Sequence, residues 1–114
     1  MRNELASQSL LISKFKKEGV PARKITGGDG IPDIIIRINK YFILIETKTY
    51  SDFQPNQFKY LECEHTFACL IRQNAFAFYK YKQSDDIFTN NKFDLVAADF
   101  KAFVEFLRST YGNF

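Results

Sequence analysis

The chain has 114 residues, the usual length of one domain, so we expect residues 1–114 to form a single unit. Apolar residues make up 46% of it and aromatic residues 17%, which is enough for one core and argues against a disordered chain. Two cysteines are too few for a disulfide framework, and the apolar runs are too short to span a membrane. With no signal peptide at the start, a reducing cytoplasm is the expected compartment.

The formal net charge is +3, which permits a nucleic-acid partner without requiring one. The basic residues are clustered, and the first quarter of the chain contains Arg2, Lys14, Lys16, Lys17, Arg23 and Lys24. Lys80 and Lys82 form a second cluster. Each cluster is either an ordinary solvated surface or a face that binds phosphate.

The first half of the chain begins with apolar residues at helical spacing, which predict a helix over residues 3–18 that ends at Gly19. A short extended segment around residues 22–26 leads into the glycine-rich loop of residues 27–30. Runs of β-branched and aromatic residues then predict strands over residues 34–38 and 41–49, joined by a two-residue turn.

The second half of the chain repeats this alternation. Pro55 opens a predicted helix that runs to about residue 64. Two strands follow, then a polar loop over residues 84–92 and a final helix over residues 97–109; the strands cover residues 67–72 and 75–81. The order α-β-β-β-α-β-β-α predicts an α/β fold, a mixed sheet flanked by helices.

The two strands on either side of Asn39-Lys40 place three charged residues together. If Ile38 pairs with Tyr41, counting back along both strands puts Asp33 opposite Glu46, with their side chains about 4.5–5.5 Å apart. Lys48 lies two residues beyond Glu46 and therefore on the same face of the sheet. Because both faces of this hairpin are apolar except at one end, we expect the strand pair to be buried on both sides.

Two opposed carboxylates at the end of a buried hairpin repel each other and are costly to desolvate. One of them could take up a proton, Lys48 could neutralise the pair, or a divalent cation could bind between them. Magnesium prefers oxygen ligands of this kind. By itself a Glu-x-Lys sequence is more often a solvated strand edge or a local ion pair, so the pattern around it decides its meaning.

That pattern consists of Gly30-Ile31-Pro32-Asp33, an apolar strand, a turn, and Ile45-Glu46-Thr47-Lys48. It resembles the signature of the PD-(D/E)XK nuclease superfamily, and within it the VRR-NUC domains and the archaeal-type Holliday junction resolvases. The resemblance implies a restriction-endonuclease-like sheet and a DNA endonuclease that uses magnesium, with manganese as a substitute and no small-molecule cofactor.

The resemblance also implies roles for individual residues. Asp33 and Glu46 would bind the metal together with the backbone carbonyl of Thr47, and Lys48 would be the catalytic cation. Glu4 would be an outer metal ligand, although a first-turn glutamate that favours the helix dipole is an equal alternative.

A glutamine soon after the Glu-x-Lys strand is a further feature of these relatives. Gln57 matches it as an orienting catalytic group, with Gln54 as the competing choice and an ordinary exposed helix position as the alternative. We also expect Lys24, Thr26 and Gly28 to contact the DNA backbone, which would give affinity without sequence information. The glycines of the loop serve either such an approach or a tight turn.

The expected substrate is branched DNA, because no base-reading helix or specificity domain is visible. A nicking or flap-cutting repair nuclease, a catalytically inactive DNA-binding module and an RNA-directed nuclease are the alternatives. Resolvases act as homodimers, and aromatic residues of the last helix and strand are the expected dimer surface if they are exposed. The Phe-, Lys- and Asn-rich composition suggests a phage or prophage origin, with a role in DNA recombination or repair. The single histidine, His65, excludes a His–His metal pair.

Overall fold

The alternating runs of apolar residues fold into a six-stranded mixed sheet flanked by helices, a mixed α/β arrangement. The computed structural model describes residues 4–28, 30–49, 59–82 and 93–114. The helices are α1 (Glu4–Lys17) and α2 (Phe100–Tyr111). The strands are β1 (Ala22–Lys24), β2 (Ile34–Ile38), β3 (Tyr41–Lys48), β4 (Thr66–Arg72), β5 (Ala75–Tyr81) and β6 (Phe93–Ala97).

The strands lie in the sheet in the order in which they occur along the chain. Every neighbouring pair is antiparallel except β3 and β4, which run parallel with Glu46 beside Ala68 and Lys48 beside Leu70. A parallel pair needs a crossover connection instead of a tight turn. Residues 59–61, on this connection, are helical and fall within the predicted helix, which ends at Leu61 and not near residue 64. The earlier part of that prediction lies outside the described residues.

The hydrophobic core lies on one face of this sheet. It contains the isoleucines of β2 and β3 that alternate towards the helices, namely Ile34, Ile36, Ile38, Ile43 and Ile45. Leu11 and Phe15 of α1 and Phe103 and Leu107 of α2 belong to the same cluster and are all fully buried. Burying a side chain of this size stabilises a fold by about 1.5–3 kcal/mol, so the cluster is a large part of the folding energy.

Helix α2 is amphipathic and begins where Asp99 accepts a hydrogen bond from the backbone N–H of Ala102, at 2.8 Å. Its aromatic side chains face inward: Phe103 is buried, and Phe100 and Phe106 pack against the core. Phe103 is therefore a core residue, and Phe100 and Phe106 are partly buried against the core. The homodimer expected from the sequence stays a prediction. In the described parts of the chain, no helix is long and apolar enough to cross a membrane.

Strand β6 was not predicted from the sequence, and the last helix begins at Phe100 instead of residue 97. Asp99 explains the difference, because its extended backbone, with φ −151°, is the N-cap conformation that separates strand from helix. The remaining described strands lie where the sequence places them, to within two residues at their ends.

Burial of the β2–β3 hairpin on both faces was a wrong expectation near its turn. Arg37 is exposed and Phe42 is 63% exposed, while Ile35 and Leu44 are half-buried. Both α1 and α2 contribute to the cluster on the opposite face, so neither of them covers these side chains. The sequence is apolar here, but the hairpin turn projects one apolar face towards solvent.

The helical turn of residues 59–61 is fastened to the sheet by Lys80 of β5. Its ammonium group donates to the backbone carbonyls of Leu61 at 3.1 Å, Cys63 at 2.6 Å and Thr66 at 2.9 Å. Partial burial lowers the pKa of Lys80, and the acidic groups of Cys63 and Glu64 offset part of that effect. Lys80 is therefore a structural cation that satisfies carbonyls at the end of the crossover.

We predict that Lys80→Met lowers the free energy of unfolding by about 3 kcal/mol, because three carbonyls lose a charged donor. Denaturant unfolding followed by circular dichroism measures this change. Lys82→Met is the matched control, since Lys82 forms an exposed ion pair with Asp94 at 2.9 Å and its removal should cost less than about 1 kcal/mol. Equal losses in the two variants would contradict a structural role for Lys80.

Candidate functional site

The β2–β3 hairpin has the predicted register. Its ladder runs from Ile38 opposite Tyr41 to Ile34 opposite Ile45. The two-residue turn is accommodated by Asn39, whose φ of 54° is a conformation that asparagine tolerates better than most residues. The Asn39 amide also donates to the backbone carbonyl of Tyr111 at 2.7 Å, which holds the turn against the end of α2.

The ladder ends one residue before Asp33. The backbone N–H of Asp33 donates to the carbonyl of Ile45 at 3.1 Å, and the described pairing does not extend to Glu46. The side chain of Asp33 turns instead to Thr47, the residue after Glu46. The expected direct opposition of Asp33 and Glu46 is thus replaced by a contact to Thr47, because Thr47 offers two hydrogen-bond donors to the carboxylate.

Thr47 is the centre of a buried network that joins α1 to the hairpin. Its backbone N–H and its hydroxyl both donate to Oδ2 of Asp33, at 2.9 and 2.8 Å. The amide of Gln8 on α1 donates to the Thr47 hydroxyl oxygen at 2.8 Å. Thr47 is 0% and Gln8 4% exposed. We call these three residues the Asp33–Thr47–Gln8 network.

Glu46 and Lys48 flank Thr47 in β3, so their side chains project from the face opposite to the Thr47 side chain. Glu46 is 3% exposed and Lys48 is half-buried. Successive residues of β3 therefore point to opposite faces of the sheet. Thr47 faces α1, and the two charged residues lie together on the other face. This agrees with the shared face predicted for Glu46 and Lys48.

The donor set around Asp33 suits magnesium better than zinc. Both Thr47 hydrogen bonds fall on Oδ2 of Asp33, and Oδ1 of the same carboxylate is an oxygen donor of the kind that magnesium prefers. No group of three His, Cys, Asp or Glu side chains comes together in the described parts of the chain. Zinc usually needs three or four such ligands, whereas magnesium often takes one or two carboxylates and completes its shell with water and phosphate.

For Glu4 and Gln57, two of the predicted site residues, the structure describes no side-chain contacts. Glu4 begins α1, one helical turn before Gln8, but its side chain is outside the described atoms. Gln57, and Gln54 as its competitor, also lie outside the described residues. Gln8 was not predicted, although its position four residues after Glu4 places both on the same side of α1 and is the signal that could have found it.

The loop before Asp33 is closed by a hydrogen bond from the N–H of Ile25 to the Asp33 carbonyl, at 2.7 Å. Gly30 has a φ of 82°, and a Cβ on Gly27 would lie 3.0 Å from Ile31, so the loop conformation itself accounts for these glycines. A Cβ on Gly28 would meet nothing within 4 Å. A side chain would therefore fit at Gly28, so packing within the loop does not require a glycine there.

The other predicted DNA contacts lie beside that loop. Lys24 ends β1 and is exposed, and Thr26 and Gly28 are exposed as well. In contrast, Lys80 and Lys82 are engaged with backbone carbonyls and with Asp94. The second cluster therefore has partners within the fold. Most of the first cluster is exposed, although Lys14 is half-buried over the Phe100 ring and Arg2 lies outside the described residues.

The remaining reactive side chains have structural surroundings. The ring nitrogen Nδ1 of His65 lies 2.8 Å from the hydroxyl of Tyr111, whose pKa is raised mainly by burial. Burial also raises the pKa of the Cys69 thiol, which keeps it protonated and unreactive. His65 has no described contact with the Asp33–Thr47–Gln8 network, whereas Cys69 lies directly beside Thr47 in the register of β3 and β4, on the buried face.

No protein-family model matches this chain, and no curated protein is significantly similar to it. What the residues can do is therefore argued from their chemistry and geometry. The strongest candidate site among the described residues is the end of the β2–β3 hairpin. There Asp33 contacts the buried Thr47, which lies between Glu46 and Lys48.

We predict that Gln8 and Thr47 are energetically coupled. Thr47→Val removes the hydroxyl, leaves the buried amide of Gln8 without its acceptor, and should lower the free energy of unfolding by about 2 kcal/mol. In a double-mutant cycle with Gln8→Met, we expect a coupling energy of about 1 kcal/mol, and Thr47→Ser should recover most of the loss. Additive effects of the two substitutions in denaturant unfolding would contradict the network.

Proposed function

We propose that this chain is a magnesium-dependent endonuclease that hydrolyses phosphodiester bonds in branched DNA. The observation that carries the proposal is the contact of Asp33 with Thr47, the residue that separates Glu46 from Lys48 in β3. A structural ion pair has no need of this arrangement, in which two carboxylates from different strands and a lysine occur within one turn-linked hairpin.

The resemblance to PD-(D/E)XK nucleases gives these residues their roles. Asp33 through Oδ1, Glu46, and the backbone carbonyl of Thr47 would hold the magnesium ion, with Glu4 as an outer ligand. A bound ion of this kind supplies an acidified water and draws charge from the phosphate. Manganese, another divalent cation with a preference for oxygen ligands, would substitute.

Lys48 and the residues around the carboxylates would do the rest of the work. Lys48 is held by its strand on the face of Glu46, where its positive charge would orient the attacking water or stabilise the negative charge that develops on the phosphate. The bonds from Thr47 hold the Asp33 carboxylate in one orientation before substrate arrives, which lowers the cost of assembling the reacting groups. Gln57 would orient a group at the same site.

The finer fold assignment is also part of this proposal. An antiparallel hairpin that carries the acidic residues, followed by a crossover and a parallel strand, is the arrangement expected of a restriction-endonuclease-like sheet. We propose that two copies act together, since a junction must be cut on two strands. A bacterial or phage-infected cytoplasm is the proposed location, with a role in recombination or repair.

The first experiment is cleavage of a labelled four-way junction and a matched linear duplex, with magnesium, by the wild type and by Asp33→Asn and Lys48→Met. We expect paired symmetric nicks in the junction by the wild type and at least a hundredfold slower cleavage by either variant, at the scale of about 10²–10³ for a lost electrostatic contact. Asp94→Asn is the matched control. Asp94 is an exposed aspartate paired with Lys82, so this variant should cleave the junction at the wild-type rate.

Each other outcome has a distinct meaning. Cutting of flaps or duplex that Asp33→Asn abolishes would keep the nuclease and reject the junction specificity. Preference for RNA over DNA would reject the DNA substrate. Tight junction binding without cleavage in magnesium or manganese would reject the enzyme in favour of a DNA-binding module.

We further predict that Lys24→Gln weakens junction binding equally for different sequences. If Lys24 contacts one phosphate, the slope of log affinity against log salt should fall in magnitude by about 0.9. Fluorescence anisotropy in the presence of a chelator measures binding without cleavage. Lys101→Gln, an exposed lysine on α2, is the control that should leave the slope unchanged. An unchanged slope for Lys24→Gln would remove Lys24 from the DNA surface.

A further inference from the structure

A groove of about 520 Å³ lies at the other end of the β2–β3 hairpin, away from Asp33. Its described lining includes three cations, Lys16, Arg23 and Arg37, and no acidic residue. Pro21, Ile35 and Phe42 supply apolar walls. A groove lined by both cations and apolar side chains fits a polyanion that also has flat apolar parts.

The strand register explains why these side chains share one surface. Arg23 is paired with Ile35 across β1 and β2, and Arg37 is paired with Phe42 across β2 and β3. Paired residues project from the same face, as do residues two apart in one strand. Two arginines and two apolar side chains therefore form a continuous patch, which Lys16 of α1 extends.

Phe42 is the unusual member of this patch. It is 63% exposed although phenylalanine is normally among the more buried residues. Its register partner Arg37 donates a hydrogen bond from Nε to the carbonyl of Asn39 at 3.0 Å, which holds this guanidinium at the hairpin turn. An exposed aromatic ring in one groove with several cations is the combination that binds unpaired nucleotides, because bases stack on the ring and phosphates pair with the cations.

The groove is on the same face of the sheet as the proposed catalytic residues. Phe42, Leu44, Glu46 and Lys48 alternate along β3 towards that face. Four residues of strand separate Phe42 from Glu46, a distance of about 13 Å at about 3.3 Å per residue. That distance corresponds to about four nucleotide steps at the duplex rise of about 3.4 Å, and to fewer steps of an extended unpaired strand.

We propose that this groove holds an unpaired segment of the DNA substrate, with a base stacked on Phe42 and phosphates on Lys16 and Arg23. The choice of DNA over another polyanion rests on the proposed function. The groove would select DNA that contains single-stranded nucleotides a few steps from the cleaved bond, as a flap or an opened junction does. The substrate preference would then reside in the hairpin turn and not in the metal-binding residues.

The test is binding of a fluorescein-labelled oligothymidylate of about 16 nucleotides, and of a duplex of the same length, in the presence of a chelator so that no cleavage occurs. Phe42→Leu keeps an apolar side chain but removes the aromatic ring, and Phe42→Trp keeps the ring. We expect Phe42→Leu to weaken oligothymidylate binding by about tenfold and duplex binding by less than about twofold, with Phe42→Trp close to the wild type. Because Phe42 is mostly exposed, thermal melting should be the same in all three proteins.

The cations are tested separately. Lys16→Gln and Arg23→Gln should each reduce the magnitude of the salt slope for oligothymidylate by about 0.7, and Lys101→Gln should not change it. Arg37 is left in place because it also supports the turn. If the two substitutions leave the slope unchanged, the cations of the groove do not contact phosphates and the proposal is overturned.

Failure of this proposal can be told apart from failure of the nuclease. Suppose that the wild type cleaves DNA but Phe42→Leu binds oligothymidylate normally, or loses affinity for oligothymidylate and duplex to the same extent. The groove proposal is then overturned and the nuclease proposal is kept. A wild type that never cleaves but loses oligothymidylate affinity on Phe42→Leu keeps the groove and overturns the enzyme. A wild type that does not bind oligothymidylate at all overturns the groove.

Discussion

The hydrogen bonds that meet at Thr47 set the relation between helix α1 and the β2–β3 hairpin. Thr47 is completely buried, so its hydrogen bond with Gln8 is shielded from water and its bonds to the half-buried Asp33 are shielded in part, which strengthens them. The same residue lies between Glu46 and Lys48, which leave the strand on its other face. The hydrogen bond from Gln8 therefore ties α1 to the segment of β3 that carries both charged residues. Alternation along β3 thus directs Thr47 towards α1 and directs Glu46 and Lys48 to the opposite face of the sheet.

Much of this arrangement was predictable because it depends on local alternation. The period of two along β2 and β3, with Asn39-Lys40 as the turn, gives the register and the shared face of Glu46 and Lys48. Gln8 could not be placed this way, because its partner is 39 residues away and nothing in the helix pattern selects Thr47. Strand β6 was missed for a different reason: it is only five residues long and merges with the apolar pattern of α2, and the boundary depends on one aspartate cap.

The two basic clusters look alike in the sequence but behave differently in the fold. Lys80 donates hydrogen bonds to three backbone carbonyls at the end of the crossover, and Lys82 forms an ion pair with Asp94. Both cations therefore have partners within the fold. Arg23, Lys24 and Lys16 border the short edge strand β1 and the loop beside it, where they remain exposed. Charge counted along a chain is therefore a poor guide to an anion-binding surface. What matters is whether a lysine has unsatisfied carbonyls within reach when the chain folds.

The single parallel pair in the sheet has a consequence for the order in which the chain folds. The β2–β3 hairpin closes through a two-residue turn, and contacts of such short range form quickly because little chain entropy is lost. Pairing of β3 with β4 must wait for the crossover to close, and the bond between Gln8 and Thr47 must wait for α1 to dock from 39 residues away. The hairpin that leads from Asp33 to Glu46 is thus expected to form early, while the contacts with α1 and β4 come late. A nascent chain would possess the acidic hairpin for some time before it possessed a finished site.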